Sequence, residues 1–237
     1  MVVYINPKLN EIPVLFVEAG NLTIKRRHRK LERQIKAELP AILNLDGKRR
    51  RILDSYDRLH ARFSNQSFLS APQYLFKFLA SHQRLMQINA LVDLYNFISL
   101  KYSLALGAHD LAKVDGFFSF NLTAGSEIFY PLGSADPLSV SPGEYAYMDE
   151  REILCRLDVK QCEKTKVTTE TDSCIFIIQG NAAAPIEHLH AAANELIDLI
   201  GVYCRGEARL ATVRFADPRA AQQPSAAERV IPAAERR

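Results

Sequence analysis

Apolar residues recur at helical spacing in several stretches of the chain. In "TIKRRHRKLERQIKAELPAIL", Leu31, Ile35, Leu39 and Ile42 fall three or four apart, and "GKRRRILDSYDRLHARF" repeats the pattern with Ile52, Leu53, Tyr56, Leu59 and Phe63. Two amphipathic helices are expected there. "SAPQYLFKFLASHQRLMQ" opens with Ser70 as an N-cap and Pro72 in the first turn, so a third helix starts near 72 and runs on with a break near 84–88. The stretch "INALVDLYNFISLKYSLALGAHDL" reads as a buried helix crossed by a polar row, Asn89, Asp93 and Asn96, at spacings of four and three. These share one helical face beside Leu91, Val92, Tyr95 and Ile98. A buried polar atom without a partner costs free energy, so such a row marks a cap, an internal network or a site.

Beyond Gly107 the pattern changes to short runs of aromatic and β-branched residues. "GFFSFNLTAGSEIFYPLG", punctuated by Gly125 and Gly133, is followed by "EREILCRLDV" and "DSCIFIIQG", and all read as strands. "PIEHLHAAANELIDLIGVYC" returns to helical spacing through Ile186, Leu189, Ala193, Leu196, Ile197 and Ile200. The end of the chain, "ADPRAAQQPSAAERVIPAAERR", has no apolar period and is expected to be disordered. The order of elements predicts an α+β fold: a mixed or antiparallel sheet flanked by helices. The expected organisation is a strand and helical extension over 1–70 packed on a domain over 71–212, with a disordered tail over 213–237.

Composition sets outer limits. With 237 residues, 48% hydrophobic and 24% charged, the chain is long enough for one large core or two small ones. No run reaches the roughly 18 to 20 apolar residues of a membrane span, and "MVVYINPKLNEIPVLFVEAG" lacks a basic region before its apolar residues, so no membrane partner and a cytoplasmic location are expected. Cys155, Cys162, Cys174 and Cys204 are too widely spaced for paired zinc ligands and are read as reduced thiols.

Charge is distributed unevenly. The net charge is +3, yet residues 25–62 hold 13 Lys or Arg against five acids, an excess of +8 that leaves −5 elsewhere. Arg26, Arg27, Arg29, Lys30, Arg33, Lys48, Arg49 and Arg50 fall on the outward faces of the first two helices, where they could track a phosphate backbone. The competing reading is a solvated surface with partners one helical turn away.

The usual catalytic words are missing: no phosphate-binding glycine loop, no GxSxG and no HExxH. His188 and His190 sit two apart on a helix, where side chains diverge, and no metal is assigned to them. Cys155 and Cys162 are nucleophile candidates only in having a thiol. "KQCEKTKVTTETD" concentrates Gln161, Lys164, Thr165 and Thr168 in a few residues, enough donors and hydroxyls to line a ligand, or alternatively a polar hairpin. Arg156 and Asp158 just before it are placed to pair with each other.

Asn89, Val92, Asp93 and Asn96, then residues 107–111 (GAHDL) and Gly116, then "GSEIFYPLG" with Glu127, resemble in order and spacing the B3/B4 domain of the phenylalanyl-tRNA synthetase β subunit, and freestanding relatives of it. The resemblance covers roughly residues 75–205. In the synthetase this α+β module hydrolyses tyrosine wrongly attached to phenylalanine tRNA. The resemblance implies that Asn89 and Asp93 brace the helix while Asn96 faces the ligand. Tyr95, Gly107, Glu127, Gln161, Thr165, Thr168 and Gln179 complete the expected substrate site. Three positions depart from the family pattern. Gly107 stands where the family has its pocket histidine, Tyr95 where it has a threonine, and Gln179 is the polar residue nearest the place of an acid. His109, two residues beyond Gly107, is the candidate catalytic group, able to enter the pocket from a neighbouring backbone position. Two functions follow: a trans-acting aminoacyl-tRNA deacylase that uses water and no metal or cofactor, or a non-catalytic module that binds tRNA, an amino acid or another small ligand. The expected partners are tRNA and an aminoacyl ester or amino acid.

Overall fold

The structure, a computed structural model, describes residues 1–216. The chain begins with β1 (Val2–Ile5), a short 3-10 turn and β2 (Val14–Gly20), then four helices, α1 (Arg29–Leu43), α2 (Gly47–Phe63), α3 (Ala71–His82) and α4 (Ala90–Tyr102). Strands β3 (Ala105–Asp110), β4 (Phe118–Leu122), β5 (Tyr145–Met148), β6 (Ile153–Arg156), β7 (Lys160–Gln161) and β8 (Cys174–Gln179) follow, then α5 (Ile186–Cys204), β9 (Glu207–Leu210) and β10 (Thr212–Phe215). The fold class is α+β, as the sequence predicts.

Strands form two sheets, a six-stranded one in the order β10-β1-β4-β5-β6-β7 and a four-stranded one in the order β3-β8-β2-β9. The smaller sheet is antiparallel throughout, while β1 runs parallel to both β4 and β10. Residues 1–20 therefore supply an inner strand to each sheet. Residues 213–215 pair with β1, so the tail expected from 213 begins inside a strand. Residues 217–237 lie outside the described residues.

The two sheets meet through aromatic rings. Phe16 of β2 packs edge-on against Phe118 of β4 and Tyr147 of β5, each at 6.1 Å between centroids, and Phe120 stacks on Tyr147 at 4.6 Å. Edge and offset arrangements of this kind suit the ring quadrupole as well as the burial of area. On the other side of the small sheet lies α4, every residue of which from Ala90 to Leu100 is buried. A helix enclosed on all faces needs little amphipathicity, and α1, α3, α5 and β3 surround this one.

The helix boundaries have local causes. Ser70 and Gln73 form a reciprocal capping box at the start of α3, and Gln83 ends that helix in the left-handed region. The break before α4 thus falls at residues 83–89, close to the expected place. At α1 the last carbonyls are satisfied from outside the helix: Arg49 Nη2 donates to the carbonyls of Ala41, Ile42 and Asn44 at 3.2, 3.1 and 2.8 Å. Among the described residues no helix is long and apolar enough to cross a membrane.

Candidate active site

The register between β3 and β8 sets one wall of a cavity. Ala105 lies opposite Gln179, Gly107 opposite Ile177 and His109 opposite Ile175. Alternation along a strand turns Ala105, Gly107, His109, Ile177 and Gln179 to one side. That side opens on a cavity of about 580 Å³, closed by Tyr147 and Cys155 of the larger sheet, by Asp158 and Gln161, and by Tyr95 and Asn96 of α4. The volume falls within the range of small-molecule sites. A Cβ at Gly107 would meet nothing within 4 Å, so the missing side chain enlarges the space.

His109 sits on β3 and is only 1% exposed. Its Nδ1 is 2.7 Å from Thr165 Oγ1, which fixes the ring and leaves Nε2 as the nitrogen free to meet a ligand. Burial pushes its pKa down to about 3, against a weaker opposite pull from Asp149, so the imidazole is neutral at physiological pH. Thr165 does not line the cavity; it lies behind the histidine, also within 3.0 Å of Cys162 Sγ. Burial raises the thiols of Cys155 and Cys162, the former well above its ordinary range, which removes both as candidate nucleophiles at neutral pH.

The polar row on α4 divides into two roles. Asn89 caps the helix, its Oδ1 accepting from the backbone N–H of Leu91 and Val92 at 3.1 and 3.0 Å, while its Nδ2 donates to the Val167 carbonyl at 3.3 Å. Asp93 Oδ1 accepts from the Ile88 N–H at 2.8 Å, and burial raises its pKa to about 6. Asn96 lines the cavity, 7% exposed, and its amide has no protein partner among the described residues.

Around Gln179, an expected site residue, the floor holds partners that the sequence did not point to. Tyr147 donates its hydroxyl hydrogen to Gln179 Oε1, and Gln179 Nε2 donates to Tyr145 Oη at 3.2 Å. Tyr145 in turn donates to Asp158 Oδ1 at 2.6 Å, and the same oxygen is 2.5 Å from His60 Nε2 of α2. Burial holds both phenols well above their ordinary pKa, so they remain donors. Tyr145 and Tyr147 are two apart in "YAYM", a period-two signal that already places both on one face. His60 and Asp158 are 98 residues apart, and nothing local joins them.

Other expected residues lie elsewhere. Glu127 is outside the cavity, its carboxylate accepting from the backbone N–H of Ala124 and Gly125 in a turn. Thr168 is spent on a turn of its own, its Oγ1 accepting from the Glu170 N–H at 3.2 Å, and does not reach the cavity. Gln161 does line it, while its Nε2 donates to the Ala108 carbonyl. Arg156 does not pair with Asp158; it is bound twice by buried Glu144, at 2.6 and 2.7 Å. Lys164 is held by Asp115 and Asp149, away from any ligand.

The eight basic residues do not form one patch. Lys25 accepts a backbone hydrogen bond from Ala90 at the start of α4, so the segment leading into α1 adjoins the stretch that carries Ile88 at the cavity rim, while none of Arg26, Arg27, Arg29, Lys30 and Arg33 lines the cavity itself. Lys48 and Arg50 follow the opposite end of α1, whose 15 residues span about 22 Å. Arg27 pairs with Glu32 at 2.5 Å. Arg49 is turned inward as the cap of α1, its side chain only 11% exposed, and is unavailable to a phosphate. Arg26, Arg29, Lys30, Arg33, Lys48 and Arg50 are exposed and make no ion pair among the described residues.

Comparison with solved structures gives a crystal structure of an N-terminal fragment of the phenylalanyl-tRNA synthetase β subunit from Pyrococcus horikoshii, with a TM-score of 0.55 at 16% identity. The match covers 91% of this chain and 52% of that one, so the chain spans about half the length of the fragment, and at this identity the likeness is one of fold. No curated protein sequence matches the chain. The B3/4 domain family model matches residues 58–205, from the middle of α2 to the end of α5 and so across nearly every element that lines the cavity. On that match the chain belongs to the B3/4 domain family.

Proposed function

We propose that the protein is a trans-acting deacylase that hydrolyses the ester between an amino acid and the 3′ end of a tRNA. The observation that carries this reading is His109: a neutral imidazole, its ring fixed by Thr165, presented to an apolar cavity beside the unpartnered amide of Asn96. Hydrolysis of an activated ester needs a positioned water, donors for the developing oxyanion and exclusion of bulk solvent. His109 Nε2 accepts a hydrogen bond from the attacking water. The water oxygen forms a bond to the ester carbonyl carbon, the bond to the ribose oxygen breaks, and the water proton passes to that oxygen, giving free amino acid and tRNA. Asn96 Nδ2 is the donor for the carbonyl oxygen. An imidazole with a pKa of about 3 is a weak base, so its part is to orient the water rather than to store its proton.

Features outside the cavity support tRNA as the carrier. The mouth is rimmed by exposed apolar side chains, Leu69, Tyr74, Ile88 and Leu132, at 46, 53, 53 and 55% exposure. Tyr74 offers a ring face on which a terminal base can stack. Lys160, exposed at the same mouth, and the basic start of α1 next to Ile88 supply positive charge for the adjoining phosphates. The family fold, shared with a synthetase fragment, agrees with this assignment.

A second reading is a binding module for an amino acid or aminoacyl group without turnover, and the low basicity of His109 favours it. Incubation with a panel of aminoacyl-tRNAs, following release of the amino acid, separates the two. The deacylase reading expects release from at least one member; no release from any at micromolar protein leaves the binding module.

A further inference from the structure

Alternate residues of a strand turn their N–H and C=O groups to opposite edges, and β3 has a partner strand on only one of its edges. Its odd-numbered residues face β8. At one end of that ladder the Tyr56 hydroxyl sits between the Ala105 N–H and the Gln179 carbonyl, at 2.8 and 2.7 Å; past the other end the Leu111 N–H donates to the Ser173 carbonyl at 3.0 Å. Leu106, Ala108 and Asp110 therefore turn their peptide groups to the open edge. Two of the three are covered there: the Asp110 N–H donates to the Thr165 carbonyl at 2.9 Å, and Gln161 Nε2 donates to the Ala108 carbonyl. The N–H and C=O of Leu106 have no partner among the described residues, although Leu106 is only 6% exposed and lines the cavity. Main-chain groups so enclosed are nearly always paired.

We infer that Leu106 pairs with the main chain of the ligand's aminoacyl group, which docks on β3 as a strand one residue long. Two residues that face each other in a hydrogen-bonded antiparallel pair exchange both of their bonds. An aminoacyl group holds both complements. Its amine donates to the Leu106 carbonyl, and its ester carbonyl accepts from the Leu106 N–H, which joins Asn96 Nδ2 as a second donor to the developing oxyanion. Gln161 closes the open edge at the next outward residue, so the gap suits a single aminoacyl unit and not a peptide strand. Directly opposed residues carry their side chains on the same face of a sheet. Leu106 shares its face of β3 with Ala108, which lies opposite Phe176, and Phe176 meets Tyr95 of α4 edge-on at 6.3 Å. An L-amino acid paired in this way turns its side chain toward α4, among Leu75, Val92 and Tyr95, and leaves the other face of its carbonyl to the water held by His109. The inference rests on the proposed function in taking the ligand to be an aminoacyl group, but its tests read binding alone.

Leucinamide and phenylalaninamide are the probes, used with the full chain. In hydrogen exchange followed by NMR, the Leu106 amide of the free protein is expected to exchange faster than those of Gly107 and His109, and to slow at least tenfold when a probe saturates the site. By calorimetry, at least one L-amide is expected to bind at least tenfold more tightly than its D-form and than its amine-free analogue, isocaproamide or hydrocinnamamide. Replacing Leu106 by its α-hydroxy analogue keeps the side chain and removes the N–H, and is expected to weaken binding of that amide tenfold or more. Exchange at Leu106 that bound probe leaves unchanged, equal affinity for L- and D-forms or for the amine-free analogue, or no binding of either amide overturns the inference. Each of these uses the wild type and does not depend on whether the variant folds; unchanged affinity in a folded variant overturns it equally. Binding as expected without hydrolysis of any aminoacyl-tRNA would remove the deacylase reading alone.

Discussion

A histidine stripped of water resists protonation as pH falls, and His109 is such a residue. With its pKa at about 3 against an ordinary 6.5, it stays neutral while the unfolded chain protonates, so its contribution to stability is present above pH 6.5 and is lost as pH falls toward 3. The rate of deacylation should accordingly show no inflection from this group between pH 5 and 8; a His109-dependent step near 6.5 in a pH–rate profile would place the imidazole in water instead. Asp93 has the opposite sign. Its folded pKa of about 6 lies above the ordinary 3.8, so the native state binds the extra proton and stability declines as pH rises between those values. Asp93→Asn is expected to be stabilising by about 1–3 kcal/mol at pH 8 and neutral at pH 4 in denaturant titrations. A loss of stability at pH 8 would mean the charge is paired. Gly107→Val fills space that meets no atom within 4 Å, so it should leave stability within about 0.5 kcal/mol while raising KM several-fold. Unchanged KM would put the ligand elsewhere.

At the scale of elements, one cap is legible in the sequence and the inward turn of one arginine is not. Ser70 stands immediately before an apolar periodic run, a local signal, and caps as expected, while Asn89, expected to brace its helix, does so as its N-cap. Lys48, Arg49 and Arg50 are alike in sequence, yet only Arg49 reaches the end of α1, because that choice depends on how α1 and α2 meet. Arg49→Ala should cost about 1–2 kcal/mol by leaving the carbonyls of Ala41, Ile42 and Asn44 without their donor, whereas Lys48→Ala should stay within about 0.5 kcal/mol. Equal effects in thermal melts would deny the cap. The start of α1 is the better candidate for nucleic acid. If it holds tRNA, reversing Arg26, Arg27 and Lys30 to Glu should flatten the dependence of affinity on salt, since each neutralised phosphate releases counterions. A slope that survives the reversal, or no tRNA binding at low salt, would return α1 to a solvated surface.

In the whole molecule, what the sequence conveyed was the α+β class and the side of α4 that matters; what it withheld were the long-range partners. Asn96 and His109 stand out through the resemblance to the B3/B4 domain, Asn96 within its motif and His109 two residues past the place of its histidine, and both line the cavity. Glu127 and Thr168 could not be excluded, because a turn residue satisfied by its own backbone looks, in sequence, like one awaiting a ligand. The floor was out of reach for a different reason: β1 and β2, α2 and the β6–β7 hairpin come together only when both sheets close, and only then do His60, Tyr145 and Asp158 meet. On the proposed function, this assembled cavity performs ester hydrolysis with His109 as the group that orients water. Its most direct measurement is the single-turnover rate of amino-acid release from the best member of an aminoacyl-tRNA panel, by the wild-type protein and by His109→Ala, with tRNA affinity measured alongside. The His109→Ala rate is expected to fall about tenfold or more with tRNA affinity unchanged; a variant that turns over as fast as the wild type would remove His109 from the reaction.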